Sequence, residues 1–249
     1  MKNLLIGVGM TVLATAGAAE ASPDFVKMDY KGVVPSGADY GKVYYRLPDT
    51  TTHSTGDIYG AFLKWERSNV AGADNNYAGD GIPLVSAANR IFYTLCIELV
   101  QQAQTGSYEV KEVDEAQLGG TININATQAE QITKLWGYYG TDASFKTNAQ
   151  KAAGLQIAIW EIVYDYTNDF LTGSDYSVRY ANSLNAGNNI TFGTAWDAAS
   201  IANAQSYLDF LPSILVDTAS TLSLVSASRQ DQSFLVDGSA AIVPCLLRL

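Results

Sequence analysis

An α+β fold, built as a β-sandwich or β-barrel with an inserted helical subdomain, is what this sequence predicts, and three features predict it. Short stretches of β-branched and aromatic residues, set between Gly, Pro, Asp and Thr clusters, occupy the N-terminal part of the chain and return near its C-terminus. Between Val113 and Thr127 the apolar period changes from two to three and four, the signature of strands giving way to helices. Only 16% of residues are charged, while there are fifteen Tyr and loops rich in Asn, Thr, Ser and Gly, a composition common in β-rich modules whose polarity is carried by neutral groups.

The elements follow in order. From Phe25 to about Ser68, segments such as Phe25-Val26-Lys27-Met28-Asp29-Tyr30 and Ile58 to Trp65 read as strands joined by turns. Residues 69–88, rich in Ala, Gly, Asn and Asp, read as a surface loop. Arg90 to Val100 is the strongest strand, with Ile91, Tyr93, Leu95, Ile97 and Leu99 on one face and Phe92, Thr94, Cys96, Glu98 and Val100 on the other. Ser107 to Val113 is a strand beside it. Thr127 is then a candidate N-cap, with Glu130 completing a capping box and Gly140 stopping a helix over residues 128–139. A second helix spans Thr147 to about Tyr166, with Ala152, Leu155, Ile159, Ile162 and Tyr166 as its apolar stripe and Gln156 beside that stripe. A third runs from Ala195 to Leu211 and ends at Pro212. Strand character returns at Ile214-Leu215-Val216, Thr221 to Val225 and Ser233 to Val236. The helical insertion therefore covers residues around 126–211 of one domain over 22–238, with no Pro/Gly/Ser-rich linker dividing it.

The N-terminus reads as an export signal. Met1-Lys2-Asn3 precedes an apolar run from Leu4 to Leu13, and Ala19-Glu20-Ala21 supplies a small-x-small pattern, so residues 1–21 are expected to be a signal peptide cut before Ser22. The apolar run is too short to serve comfortably as a membrane anchor, and no other transmembrane anchor is visible in the sequence. The expected location is secreted or at the cell surface.

A net charge of −10 and the lack of a basic patch argue against nucleic acid as a partner and favour a neutral, cationic or protein partner. One histidine, His53, and two distant cysteines, Cys96 and Cys245, provide no chelating metal spacing.

Two short segments carry the candidate chemistry: Tyr93-Thr94-Leu95-Cys96-Ile97-Glu98 and Leu155-Gln156-Ile157-Ala158-Ile159-Trp160. They resemble the paired signatures of bacterial surface thioester domains, in which a strand cysteine and the glutamine of a Gln-x-Ala-apolar-Trp helix are joined side chain to side chain. The resemblance implies an internal thioester between Cys96 and Gln156, supported by Glu98, Ala158 and Trp160. Leu155 stands where the family usually has Thr. The chemistry has its own rationale: a thiolate is a strong nucleophile but a carboxamide a poor electrophile, so condensation with loss of ammonia needs the pair held in contact away from water. Folding would bring them together with no cofactor and no catalytic base. The acyl group on sulfur is then open to an amine, so the implied partner is an amine-bearing surface protein, through lysine, or a polyamine-type ligand.

A second resemblance lies at the C-terminus, where Arg229-Gln230-Asp231-Gln232-Ser233-Phe234-Leu235-Val236 leads into Ile242-Val243-Pro244. It is similar to the approach to the sorting signal of PEP-CTERM exported proteins of Gram-negative bacteria. The match stops at Val243-Pro244, and residues 239–249 read as a degenerate sorting-signal remnant or tail.

The residues leave other readings open. One is a noncovalent structural or matrix protein of the same fold, with Cys96 free or bridged to Cys245, a bridge that an oxidising compartment permits. Another is an enzyme with Cys96 as nucleophile and His53 as base; it needs a third group to orient the histidine, and His53 sits among Thr and Ser in a polar segment. An adhesion module that is not an enzyme is the expectation.

Overall fold

The computed structural model describes residues 25–47, 52–67, 91–119, 122–164, 178–181, 189–215 and 221–235. The expected signal peptide, the loop at 69–88, Tyr166, Val216, Val236 and the tail with Cys245 lie outside these residues.

Phe25–Arg46 and His53–Arg67 form two long antiparallel strands, β1 and β2, where the sequence pattern indicates several short ones. The turn-forming residues within β1 do not end the strand. Its register against β2 shifts between Tyr30 and Val33 and between Val34 and Asp39, and Gly32 and Gly37 in those gaps take φ values of +106° and +79°. A residue without Cβ adopts such angles freely, so each glycine absorbs an irregularity while pairing resumes beyond it.

The remaining strands are β3 (Ile91–Cys96), β4 (Gly106–Glu112), β5 (Gln117–Leu118), β6 (Ile122–Asn123), β7 (Ile190–Phe192), β8 (Thr221–Val225) and β9 (Gln232–Leu235). Of the nine strands among the described residues, seven form one antiparallel sheet in the order β2-β3-β9-β8-β4-β1-β7, and β5 and β6 pair separately. Because β1 also pairs with β2, the pairings run from β1 through β4, β8, β9, β3 and β2 back to β1.

Among the described residues three α-helices complete an α+β architecture. Helix α1 (Ala126–Leu135) starts one box earlier than the sequence indicates: Asn125, not Thr127, is the N-cap, and Asn125 and Gln128 exchange side-chain to backbone bonds of 2.9 and 3.0 Å. Both tripeptide spacings satisfy the capping-box pattern, and the stronger N-cap residue is used. The chain continues as a wider turn over Trp136–Gly140.

Helix α2 (Ala149–Tyr164) starts after Asn148, whose side chain accepts from the Lys151 N–H at 2.9 Å. Helix α3 (Ala198–Phe210) is capped by Asp197, and a 3₁₀ turn over Leu211–Ser213 follows. The strand expected at Ile214-Leu215 does not form. Pro212 sits in the 3₁₀ turn, which ends at Ser213; Ile214 is extended, with φ −72° and ψ 104°, but it pairs with no strand among the described residues.

The apolar stripe expected on α2 is instead burial on all sides, with Gln156 and Glu161 among the buried residues. Every residue from Ala152 to Tyr164 is buried, because the helix packs on β1, β2 and β3 as well as on α1 and α3. Two glycines permit this closeness. A Cβ on Gly60 of β2 would stand 2.8 Å from the Ala153 Cβ and 2.7 Å from the Trp196 ring; one on Gly154 would stand 3.1 Å from the Ala204 nitrogen. Among the described residues no helix is long and apolar enough to cross a membrane.

Candidate functional site

Cys96 is the last residue of β3. On one edge β3 pairs with β9, Leu95 with Ser233 and Cys96 with Gln232. On the other edge its register with β2 runs from Glu66–Ile91 to Leu63–Thr94 and stops. Two residues further, a side chain of α2 takes over. The Cys96 N–H donates to Gln156 Oε1 at 2.8 Å, and Gln156 Nε2 donates to Cys96 O at 2.7 Å. The carboxamide thus offers one acceptor and one donor to the backbone of a single strand residue, as a neighbouring strand would. Ala153 lies one turn before Gln156 on α2, so the contact at Gly60 that draws the helix onto β2 also lowers Gln156 onto β3.

The sulfur faces a second carboxamide. Cys96 Sγ donates to Gln230 Oε1 at 3.0 Å, and Gln230 Nε2 donates to Glu98 O at 2.6 Å. Next along the same face, the Trp65 indole donates to Thr94 Oγ1 at 2.9 Å, Thr94 donates to Gln232 Oε1, and Gln232 Nε2 donates to Gln230 O at 3.2 Å. Residues two apart on a strand share a face, so Thr94 and Cys96 of β3 meet Gln232 and Gln230 at the start of β9. All four are buried.

A pair of buried acids fastens the end of β3. Glu98 lies just past the strand, and its carboxylate accepts from the Gly119 N–H at 2.9 Å and the Asp231 N–H at 3.2 Å. The Asp231 carboxylate accepts from Gln117 N and Ser226 N, each at 2.9 Å. Burial, reinforced by the charge of Asp231 and opposed by the two backbone N–H donors, pushes the Glu98 carboxyl up to about 7. Burial likewise pushes Asp231 up to about 6, against its backbone donors and Lys111. Burial, with the Glu98 charge second, raises the Cys96 thiol far above its ordinary range, so in this arrangement the sulfur carries its proton.

The structure therefore brings Cys96 and Gln156 together, with the carboxamide lying along the cysteine backbone. One N–H already points at the oxygen that would gain negative charge if sulfur added to the carboxamide carbon, and burial excludes competing water. Trp160 is one turn beyond Gln156 and fully buried, its indole N–H without a hydrogen-bond partner among the described residues. Ala158 is buried too, but two residues on, about 200° around the helix, so it packs away from Gln156. Glu98 serves the site through its backbone carbonyl, which holds Gln230, and through a carboxylate that ties down neighbouring chain.

The expectation that Cys96 lies opposite a single apolar row is corrected in one respect: Leu95, Cys96 and Ile97 are all buried, so both faces of β3 are interior at its end. His53 opens β2, paired with Arg46; ten residues, about 30 Å of extended chain, separate it from Leu63, the β2 partner of Thr94. Sequence reasoning did not single out Gln230 or Asp231 as site residues. Their one signal is the Gln-x-Gln spacing of Gln230 and Gln232, which puts two carboxamides on one strand face.

Among the described residues no group of three or more His, Cys, Asp or Glu is placed to hold a metal ion. Comparisons with family models, with curated proteins and with solved structures give no match for this chain.

Proposed function

We propose that this protein is an exported adhesion module in which Cys96 and Gln156 form an internal thioester that couples covalently to amines, lysine above all, on a surface partner. The observation that carries this reading is the seating of the Gln156 carboxamide on both backbone polar groups of Cys96 inside a dry core. Such a fixed pair replaces a bimolecular encounter by an intramolecular one, the main requirement for so weak an electrophile. The resemblance of the two segments to bacterial surface thioester domains points the same way, with Ala158 and Trp160 as packing support and Glu98 as an anchor.

In the same reading the signal peptide is removed before Ser22 and the chain acts outside the cell, at a surface or in a matrix. Its net charge of −10 favours cationic amine partners at encounter. We read the returning pairing order of β1, β4, β8, β9, β3 and β2 as a barrel flanked by the helices. No cofactor enters the coupling, and the module is not an enzyme, since Cys96 is consumed as a leaving group once per molecule.

A specific observation favours the alternative, a noncovalent structural or matrix protein. Each polar atom of Cys96 has a hydrogen-bond partner without any covalent bond to Gln156: the backbone N–H and C=O through the Gln156 carboxamide, the thiol through Gln230. Incubation with a fluorescent primary amine separates the two. Covalent labelling at Gln156, lost in Cys96→Ala, supports the thioester; an unlabelled wild-type protein supports the structural role.

A further inference from the structure

Gln230 is held so that it can only accept from the sulfur. Its Nε2 donates to the Glu98 carbonyl at 2.6 Å, which fixes the amide orientation, because a flipped carboxamide would set oxygen against oxygen. Oε1 therefore faces Cys96 Sγ at 3.0 Å, in a buried position that leaves little access for water as a substitute donor. The contact exists only while sulfur carries hydrogen.

We propose that Gln230 is a positioning residue that favours the open, thiol form of Cys96 over the thioester, and so drives amine capture forward. This rests on the thioester reading above. On closing, the S–H bond of Cys96 breaks, sulfur bonds to the Gln156 carboxamide carbon, the C–N bond breaks, and the thiol proton leaves with the nitrogen as ammonia. On capture, an amine bonds to the same carbon, the S–C bond breaks, and a proton from the amine passes to sulfur. No electrons are exchanged with any other reactant. The thiol and carboxamide described above are chemically the form that ammonia restores. In the closed form Gln230 Oε1 faces a sulfur without hydrogen, a buried acceptor left unsatisfied; opening restores its donor. The Glu98 bond to Nε2 is present in both forms and does not bias between them.

That difference separates positioning from mere structural support. Gln230→Met, of similar length, loses the Glu98 bond equally in both forms, which lowers stability, but loses the sulfur contact only in the open form. Wild-type and Gln230→Met proteins are equilibrated from both the closed and the ammonia-opened side over a range of ammonium concentrations, and the closed fraction is read by intact mass. The midpoint of opening is expected at roughly 2- to 10-fold higher ammonium in Gln230→Met, the net worth of one hydrogen bond. Equal midpoints would overturn the proposal and leave the thioester standing. A wild-type protein that never loses ammonia would overturn the thioester reading, and the proposal with it. Should Gln230→Met fail to fold, infrared spectroscopy of methylamine-opened Cys245→Ala protein gives the answer without altering Gln230. A Cys96 S–H stretch shifted to the lower frequency of a hydrogen-bonded thiol is expected; the frequency of a free thiol would overturn the proposal.

Discussion

Gln156 satisfies the backbone N–H and C=O of Cys96 at 2.8 and 2.7 Å, across 60 residues of sequence, at the point where β3 has lost β2 as a neighbour. The glutamine side chain completes a strand edge. This explains why a polar residue occupies the most apolar stretch of α2, and it makes Gln156 a structural residue whether or not it reacts.

That dual role has a measurable consequence. Gln156→Leu fills the space but strands two buried backbone groups, which we expect to cost about 3 kcal/mol. Cys96→Ala leaves the backbone pairing intact and removes only the sulfur and its bond to Gln230, a loss of about 1–2 kcal/mol. Urea unfolding of both variants should rank Gln156→Leu as the less stable. The reverse order would mean that the carboxamide does not complete the strand.

The seating of α2 depends on Gly60. A Cβ there would lie 2.8 Å from the Ala153 Cβ and 2.9 Å from its Cα, contacts that a backbone cannot relieve by rotating a side chain. Gly60→Ala should lower stability by about 2 kcal/mol and lift α2 from β2, carrying Gln156 with it. The accompanying loss of amine labelling, with helix content by circular dichroism retained, would locate the effect in the seating of the helix.

The buried acids give stability an unusual pH dependence. Glu98 and Asp231 have folded-state pKa values raised to about 7 and about 6 from ordinary values of 4.5 and 3.8. An acid raised on folding favours the folded state while protonated, so its contribution is complete below the unfolded pKa and is lost as pH rises through the folded one. Unfolding free energy should therefore fall between about pH 4 and pH 7, by several kcal/mol. Denaturant titrations at several pH values check this; stability that rises over the same interval would contradict it.

Much of this was legible in the sequence, and the parts that were not share a cause. Cys96 and Gln156 stand out through the resemblance of their two short segments to bacterial surface thioester domains, and the periods of those segments place the one on a strand and the other on a helix. The helices are legible from period, though the choice between Asn125 and Thr127 as cap is not, since both open a valid box. The unbroken run of β1 is hidden by its own glycines, which read as turns until pairing with β2 shows them as irregularities in one strand. Complete burial of α2 has a signal in the uninterrupted Ile157-Ala158-Ile159-Trp160, a run with no polar face, but an amphipathic stripe also fits the same residues. Gln230 is the hardest case. Its role comes from a chain 134 positions away in sequence, and the Gln-x-Gln spacing with Gln232 shows a shared strand face but not what that face meets.

The thioester itself is tested most directly by the intact mass of freshly purified wild-type protein, before and after methylamine. The account predicts a chain lighter than its unmodified mature sequence by one ammonia, becoming heavier than that sequence by one CH₂ after methylamine, with the methyl group mapped to Gln156 and the Cys96 thiol newly open to alkylation in denaturant. Cys96→Ala should show its full sequence mass and no methylamine uptake while remaining folded. A wild-type chain of full mass, whose denatured Cys96 is alkylated without any amine treatment, would contradict the account and leave the Cys96, Gln156 and Gln230 cluster as a hydrogen-bonded core alone.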